Sequence, residues 1–403
     1  MKKRLIQTFL TCAAGATLIS GCSTIMPKCT EITDTPVFHY QAGMKALEDR
    51  DIKTAQEKFQ RALYCDDSFS IAHSGMAIVS AEKAKAQQNA GFRTVELDHM
   101  TAELGKAKKT AKLSDQLFDY YTADIRSKTA VKTANWLDNA KDAYDDGTKL
   151  SVDERKLSYY LGTEAISYFM GVAWMEGKEY QKARDAFGTV LNSKREGKWH
   201  EKADKGWKRV DKIVRAMGGI TPGDVGKAIA PQEVVSRADL AALIIEDLKI
   251  DKIMAGRIPL IDQSGRKAEF TPADMINHPF KAEVLTLMKW KVRGMEPKFD
   301  EASRAYLFKP LDPVTRGEMA LILEDVLIKL TGNDRLASSY LGQENSPFPD
   351  VKATSALYNA VMNMTTRNIM EGELSGEFRV NAPVDGAEAL LAIRVLKQRV
   401  NTY

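Results

Sequence analysis

Three stretches of this chain open a helix in the same way, and their agreement restricts the C-terminal half to a repeated helical architecture. They read "IAPQEVVSRADLAALI" (229–244), "FKPLDPVTRGEMALIL" (308–323) and "FRVNAPVDGAEALLAI" (378–393), and they align without a gap. In each, an apolar residue (Ile229, Phe308, Phe378) stands ten residues ahead of an acid (Asp239, Glu318, Glu388). Ser236, Thr315 and Asp385 are side chains that accept hydrogen bonds from free helix amides. Each has its acid three residues on, the spacing of a capping box. Val235, Val314 and Val384 precede the caps and are placed to staple against Leu240, Met319 and Ala389. These positions have a complete explanation in helix initiation, where losing a cap residue costs about 1 kcal/mol.

The residue after the cap is another matter. It is Arg237, Arg316 and then Gly386. Capping does not ask for arginine there, and a cation at a helix N-terminus is mildly unfavourable. Two readings account for it: the arginines bind an anionic group beside the free amides, or they pair with a nearby acid.

From residue 37 to 217 apolar residues recur at three- and four-residue spacing, and proline is absent, so this stretch is helical. Gly43, Ala55, Phe59 and Ala62 in "FHYQAGMKALEDRDIKTAQEKFQRAL" recur at identical separations as Gly171, Ala183, Phe187 and Val190. "ANWLDNAKDAYDDG" (134–147) carries Trp136, Ala140 and Tyr144 on one stripe. Glycine lets one helix approach its partner closely, and the Ala/Phe pair faces it from the returning helix. The pattern resembles the tetratricopeptide repeat, which places Gly, Ala, Phe and Ala at those positions. That resemblance implies stacked helical hairpins whose concave face takes a protein partner; a plain helical bundle is the alternative. Residues 85–130 fit the pattern poorly, and irregular or elongated helices are expected there. Glycine and proline gather at 217–231, which reads as a domain boundary.

The first residues have a different character. A basic start (Lys2, Lys3, Arg4), an apolar stretch and "LISGC" ending at Cys22 follow the order of a secretory signal. The stretch resembles the lipobox of bacterial lipoproteins, which implies cleavage before Cys22, lipidation of that cysteine and membrane anchoring by several acyl chains. Ser23 stands where that pattern puts aspartate for inner-membrane retention, so the resemblance implies the outer membrane, with the periplasmic face as the expected side. Residues 1–21 are then the signal and 22–36 a tether. Removing three basic residues lowers the net charge from +4 to +1. Lys and Arg alternate with Asp and Glu throughout, which leaves no nucleic-acid footprint. Cys29 and Cys65 remain; an oxidising compartment permits a disulfide between them, and two free thiols satisfy the same count.

Residues from about 205 to 400 resemble three tandem S-layer homology (SLH) domains. The third follows nearly the whole family order through Phe348, Asp350-Val351, Ile369, Gly372, Phe378 and Glu388. The second does so through Asp274, Gly294, Phe308, Pro310 and Thr315 to Glu318. The first is incomplete, with "WKRVDKIVRAMGGITPG" as its candidate first helix. The resemblance implies non-covalent binding of a cell-wall polysaccharide, often anionic, through the arginine of the helix start. By position that role falls on Arg237 and Arg316, while Gly386 puts a third such site in doubt.

The expected architecture is all-α: a tetratricopeptide-like domain at 37–217, then an SLH-type domain at 218–403 with units near 205–250, 270–330 and 348–400. No catalytic, metal-binding or cofactor motif stands out. The five histidines lack ligand spacing, and no phosphate loop or nucleophile elbow is present. Trp199, in "EGKWHEK", is the tryptophan that reads as a candidate sugar platform. The expected role is a non-catalytic envelope tether or scaffold that engages cell-wall polymer or peptidoglycan and a protein partner. The alternative is an accessory lipoprotein of an export or assembly complex that binds only proteins.

Overall fold

A computed structural model describes residues 29, 31, 33–193, 196–218, 223–250 and 270–401. The signal segment and Cys22 lie outside these residues. The chain divides into two compact units, one running as far as Ala134 together with Lys149–Leu161, the other formed by Asn135–Thr148 and everything from Gly162 onward. The division falls inside the long helical stretch, ahead of residues 217–231. The described residues are mostly helical, with one two-stranded hairpin.

The first unit holds α1 (Pro36–Glu48), α2 (Ile52–Cys65), α3 (Ser70–Ala86), α4 (Ala90–Thr110) and α5 (Ser114–Val131). Each of three helix starts has a capping side chain: Thr35 accepts from the Phe38 amide, Asp51 from that of Thr54, and Asn89 from those of Gly91 and Phe92. The ring of Phe59 lies between two glycines. A Cβ on Gly43 would stand 2.6 Å from it and one on Gly75 2.4 Å, so both partner helices approach as only glycine allows. Residues 85–130 fold into the long helices α4 and α5 (21 and 18 residues). Met100, Leu104 and Ala107, spaced by four and three, bury one face of α4 against Ala77, Ala81 and Ala84 of α3.

At the edge of this unit Cys29 and Cys65 are disulfide-bonded, with Cα atoms 5.5 Å apart. The neighbouring Asp34 carboxylate accepts from Arg61 at 2.9 and 2.5 Å and meets the His39 ring at 2.7 Å. The Arg61 guanidinium, with His39 second, lowers its pKa to about 2.

The second unit begins with α6 (Trp136–Thr148), α7 (Glu164–Glu176), α8 (Tyr180–Leu191) and α9 (His200–Met217). Phe187 repeats the role of Phe59: Gly171 and Gly206 each leave only 2.8 Å between a would-be Cβ and its ring. Trp199 is buried and stacks on Tyr168 at 5.2 Å, so the expected exposed sugar platform is instead a core side chain. Burying its large ring against Tyr168 and Phe169 removes more apolar area from water than exposure beside the charged Lys198 and Lys202 would.

After α10 (Asp224–Ile229), three longer helices share one arrangement: α11 (Arg237–Glu246), α13 (Arg316–Thr331) and α15 (Gly386–Asn401). Between them lie α12 (Lys281–Lys289), the hairpin β1 (Lys298–Asp300) with β2 (Ala305–Leu307), and α14 (Tyr358–Thr366). Their entries close a ring of backbone hydrogen bonds. The Val235 amide donates to Val384 O, Val384 to Val314 O, and Val314 to Val235 O, at 2.8, 3.0 and 3.0 Å. Each entry thus satisfies its neighbour's polar backbone in a buried centre, where an unpaired group would be costly. The packing follows the same cycle: α11 lies against α12, α13 against α14, and α15 against α9. The last pairing draws α9 into the second unit as the partner of the C-terminal helix.

Candidate binding groove

Two of the three helix starts carry a complete capping box. Ser236 accepts from the Asp239 amide while Asp239 accepts from that of Ser236, and Thr315 with Glu318 does the same. The third differs. Asp385 accepts from the Glu388 amide at 2.8 Å, but the Glu388 carboxylate turns instead to Arg316. The expected reciprocal cap at Asp385–Glu388 is therefore only half made. A cap residue that is itself a carboxylate repels a second carboxylate and has no hydroxyl proton to offer it.

Both arginines point into the neighbouring repeat. Arg237 donates from Nε to Phe308 O (3.0 Å), from Nη1 to Gly294 O (2.8 Å) and from Nη2 to Glu296 O (3.1 Å). Its Cζ lies 4.7 Å from the centre of the Phe308 ring. Arg316 repeats the design one unit on, with Nε to Phe378 O (2.7 Å), Nη2 to Glu371 O (2.5 Å) and Cζ 4.7 Å from the Phe378 ring. Its Nη1 meets Glu388 rather than a carbonyl. Both side chains are about 95% buried, with relative exposures of 6% and 4%. Burial lowers both arginine pKa values from the ordinary range.

This arrangement explains the apolar residue ten positions ahead of the acid. Phe308 and Phe378 are the platforms on which the preceding repeat's arginine lies, and their carbonyls hold its Nε. Arg237 spends three of its five N–H groups, one from each nitrogen, on main-chain carbonyls that cannot turn away, and so joins two repeats. Gly386 is explained by space. A Cβ there would lie 1.8 Å from Ile229 O and 2.7 Å from its carbon. The backbone at the C-terminal end of α10 occupies the volume an arginine would need.

Arg316 lines a groove of about 280 Å³ between α15, the segment 368–373 that follows α14, and α9. Lys212 and Arg215 from α9 form one wall, and Glu371, Glu373 and Glu388 contribute carboxylates. These charges are partnered by side chains: Lys212 with Asp385 (3.2 Å), Arg215 with Asp211 (3.0 Å) and Glu373 with Arg379 (2.8 Å). Lys212 and Arg215 went unassigned in the sequence, although their spacing with Lys205, Lys208 and Arg209 puts a basic stripe on α9. Nothing local says that α9 faces the last helix, 170 residues away. A second groove, of about 400 Å³, runs along the same stripe beside Gln232 and Asp385. Among the described residues, the one cluster with metal-ligand composition is Cys29, Asp34 and Cys65, and its two cysteines are bonded to each other.

Residues 347–390 match the S-layer homology domain family. The matched stretch holds α14, Asp350, Phe378 and the start of α15. Asp350 accepts from the Phe378 and Val380 amides at 2.8 and 2.9 Å, as Asp274 does from those of Phe308 and Lys309 at 3.0 and 2.7 Å. No curated protein and no solved structure matches the chain. The matched family is a binding domain of cell envelopes, and no helix among the described residues is long and apolar enough to cross a membrane.

Proposed function

We propose that this chain is a non-catalytic lipoprotein of the cell envelope, anchored through Cys22 in the outer membrane on the periplasmic side. Its C-terminal repeats (218–403, with units near 205–250, 270–330 and 348–400) engage cell-wall polymer or peptidoglycan. Its tetratricopeptide-like helices (37–217) hold a protein partner. The observation that carries the reading is the match of residues 347–390 to a wall-binding family. The groove beside that segment supports it, because it gathers Arg316, Lys212 and Arg215, each covered by a side-chain carboxylate that a ligand acid can displace. Cations facing a polymer from a groove wall suit an acidic polysaccharide, whose carboxylates make charge-assisted hydrogen bonds.

A second reading, an accessory lipoprotein that binds only proteins, draws support from the internal engagement of both arginines. Cosedimentation of the mature chain with purified cell-wall material separates the two. The proposed function expects the protein in the pellet, and Lys212→Ala with Arg215→Ala in the supernatant. Wild-type protein that stays in solution at every wall concentration would leave the protein-only reading standing.

A further inference from the structure

The groove holds a carboxylate already, and its origin is unusual within this chain. In the first two repeats the acid of the helix start is bound to its own cap: Asp239 Oδ2 accepts from Ser236 N and Oγ at 3.1 and 2.7 Å, and Glu318 Oε2 from Thr315 N and Oγ1 at 2.9 and 3.1 Å. In the third, Asp385 replaces the hydroxyl residue, and Glu388 is released to reach Arg316 across the boundary between repeats. Arg316 is held in plane by Phe378 O and Glu371 O. The corresponding nitrogen of Arg237 is closed by the Gly294 carbonyl, which is fixed in the main chain. For Arg316 that nitrogen is closed by a side chain, which can rotate away. The groove's other two cations, Lys212 and Arg215, are likewise covered by exchangeable carboxylates, those of Asp385 and Asp211.

We propose that Glu388 is a tethered competitor for the acid group of the polymer, and so a specificity-determining residue of the groove; this rests on the polymer-binding reading above. A ligand carboxylate enters by displacing Glu388 from Arg316 Nη1. A neutral saccharide offers Arg316 no comparable partner and leaves the Arg316–Glu388 pair closed. The groove therefore accepts polymers whose acid groups recur densely enough to compete with a carboxylate held at high local concentration. Because apparent affinity scales with the open fraction, a pair closed nine-tenths of the time weakens binding about tenfold.

The test uses the mature chain and purified cell-wall material, either native or with its carboxylates amidated by carbodiimide. Glu388→Gln removes the competing charge. Asp385→Thr recreates the Thr315–Glu318 box and draws Glu388 back to its own cap. Both variants are expected to bind native wall material about tenfold more tightly than wild type, with little change on amidated material. Circular dichroism identifies which variants are folded, and if Glu388→Gln is not, Glu388→Ala takes its place, because Asp385→Thr also uncovers Lys212. Folded variants that bind native wall no better than wild type overturn the proposal, as does equal tightening on amidated wall. If wild type and both variants all stay in solution with native wall, polymer binding itself is refuted and this proposal falls with it.

Discussion

Replacing Arg237 by methionine is expected to damage the fold of the second unit rather than a binding surface. The stem is kept in length and the guanidinium is lost. Three main-chain oxygens, those of Gly294, Glu296 and Phe308, then lose their donors in a site where Arg237 itself is 6% exposed. Each hydrogen bond to a charged group contributes about 1.5–3 kcal/mol, and each stranded buried acceptor costs about 1–3 kcal/mol. These terms overlap. The variant also escapes the cost of dehydrating a guanidinium, so the net loss is expected in the lower part of the sum over three stranded acceptors, about 3–5 kcal/mol. All five tryptophans (136, 174, 199, 207, 290) belong to the second unit, so their fluorescence follows its unfolding in urea selectively. With a slope of about 3 kcal/mol per molar, the midpoint is expected to fall by about 1–1.7 M. Arg237→Lys keeps the charge without the planar fork and is expected to recover less than half of the loss. A methionine variant whose midpoint stays within about 0.3 M of wild type while wall binding disappears would refute this reasoning and make Arg237 a ligand contact.

Two further outcomes follow from packing and charge. Gly386→Ala places a Cβ 1.8 Å from Ile229 O, against backbone that cannot yield like a side chain; a loss of about 3 kcal/mol or more is expected in the same urea assay. Gly105→Ala, in α4 with nothing within 4 Å of the added carbon, is the contrasting case and should stabilise by about 0.5–1 kcal/mol. Asp119 tests the first unit. Burial raises its pKa to about 7 against the pull of the Tyr40 hydroxyl and Arg126, and its Oδ1 lacks a hydrogen-bond partner. The folded state therefore favours the protonated form: stability is fullest below the unfolded value of 3.8 and is lost as pH rises through about 7. The span corresponds to about 4 kcal/mol. Asp119→Asn should flatten that fall, and calorimetric scans that show the same pH slope for variant and wild type would contradict it.

The parts of this protein written in its sequence are those built from near neighbours. A helix cap joins residues three apart, so Ser236–Asp239 and Thr315–Glu318 were legible as capping boxes from spacing alone. The Gly43/Phe59 and Gly171/Phe187 pairs announced close helix contacts in the same way, and the helical periodicity sufficed for the all-α class. Even the recurring phenylalanine at 308 and 378 was visible, though its purpose was not.

What only the tertiary structure decided lies at long range. The acceptors of Arg237 are 57 to 71 residues away and those of Arg316 55 to 72, so no local pattern shows whether either cation faces a ligand or a carbonyl. Gly386 looked like a missing arginine until the backbone at Ile229 was found in its place. Trp199, set among charged neighbours, read as exposed and is buried because Tyr168 and Phe169 of α7 pack against its ring. Glu388 looked like the third copy of a cap; the charge on Asp385 sent it elsewhere. In each case the local rule held wherever nothing else competed, and yielded where a group from another repeat came within reach.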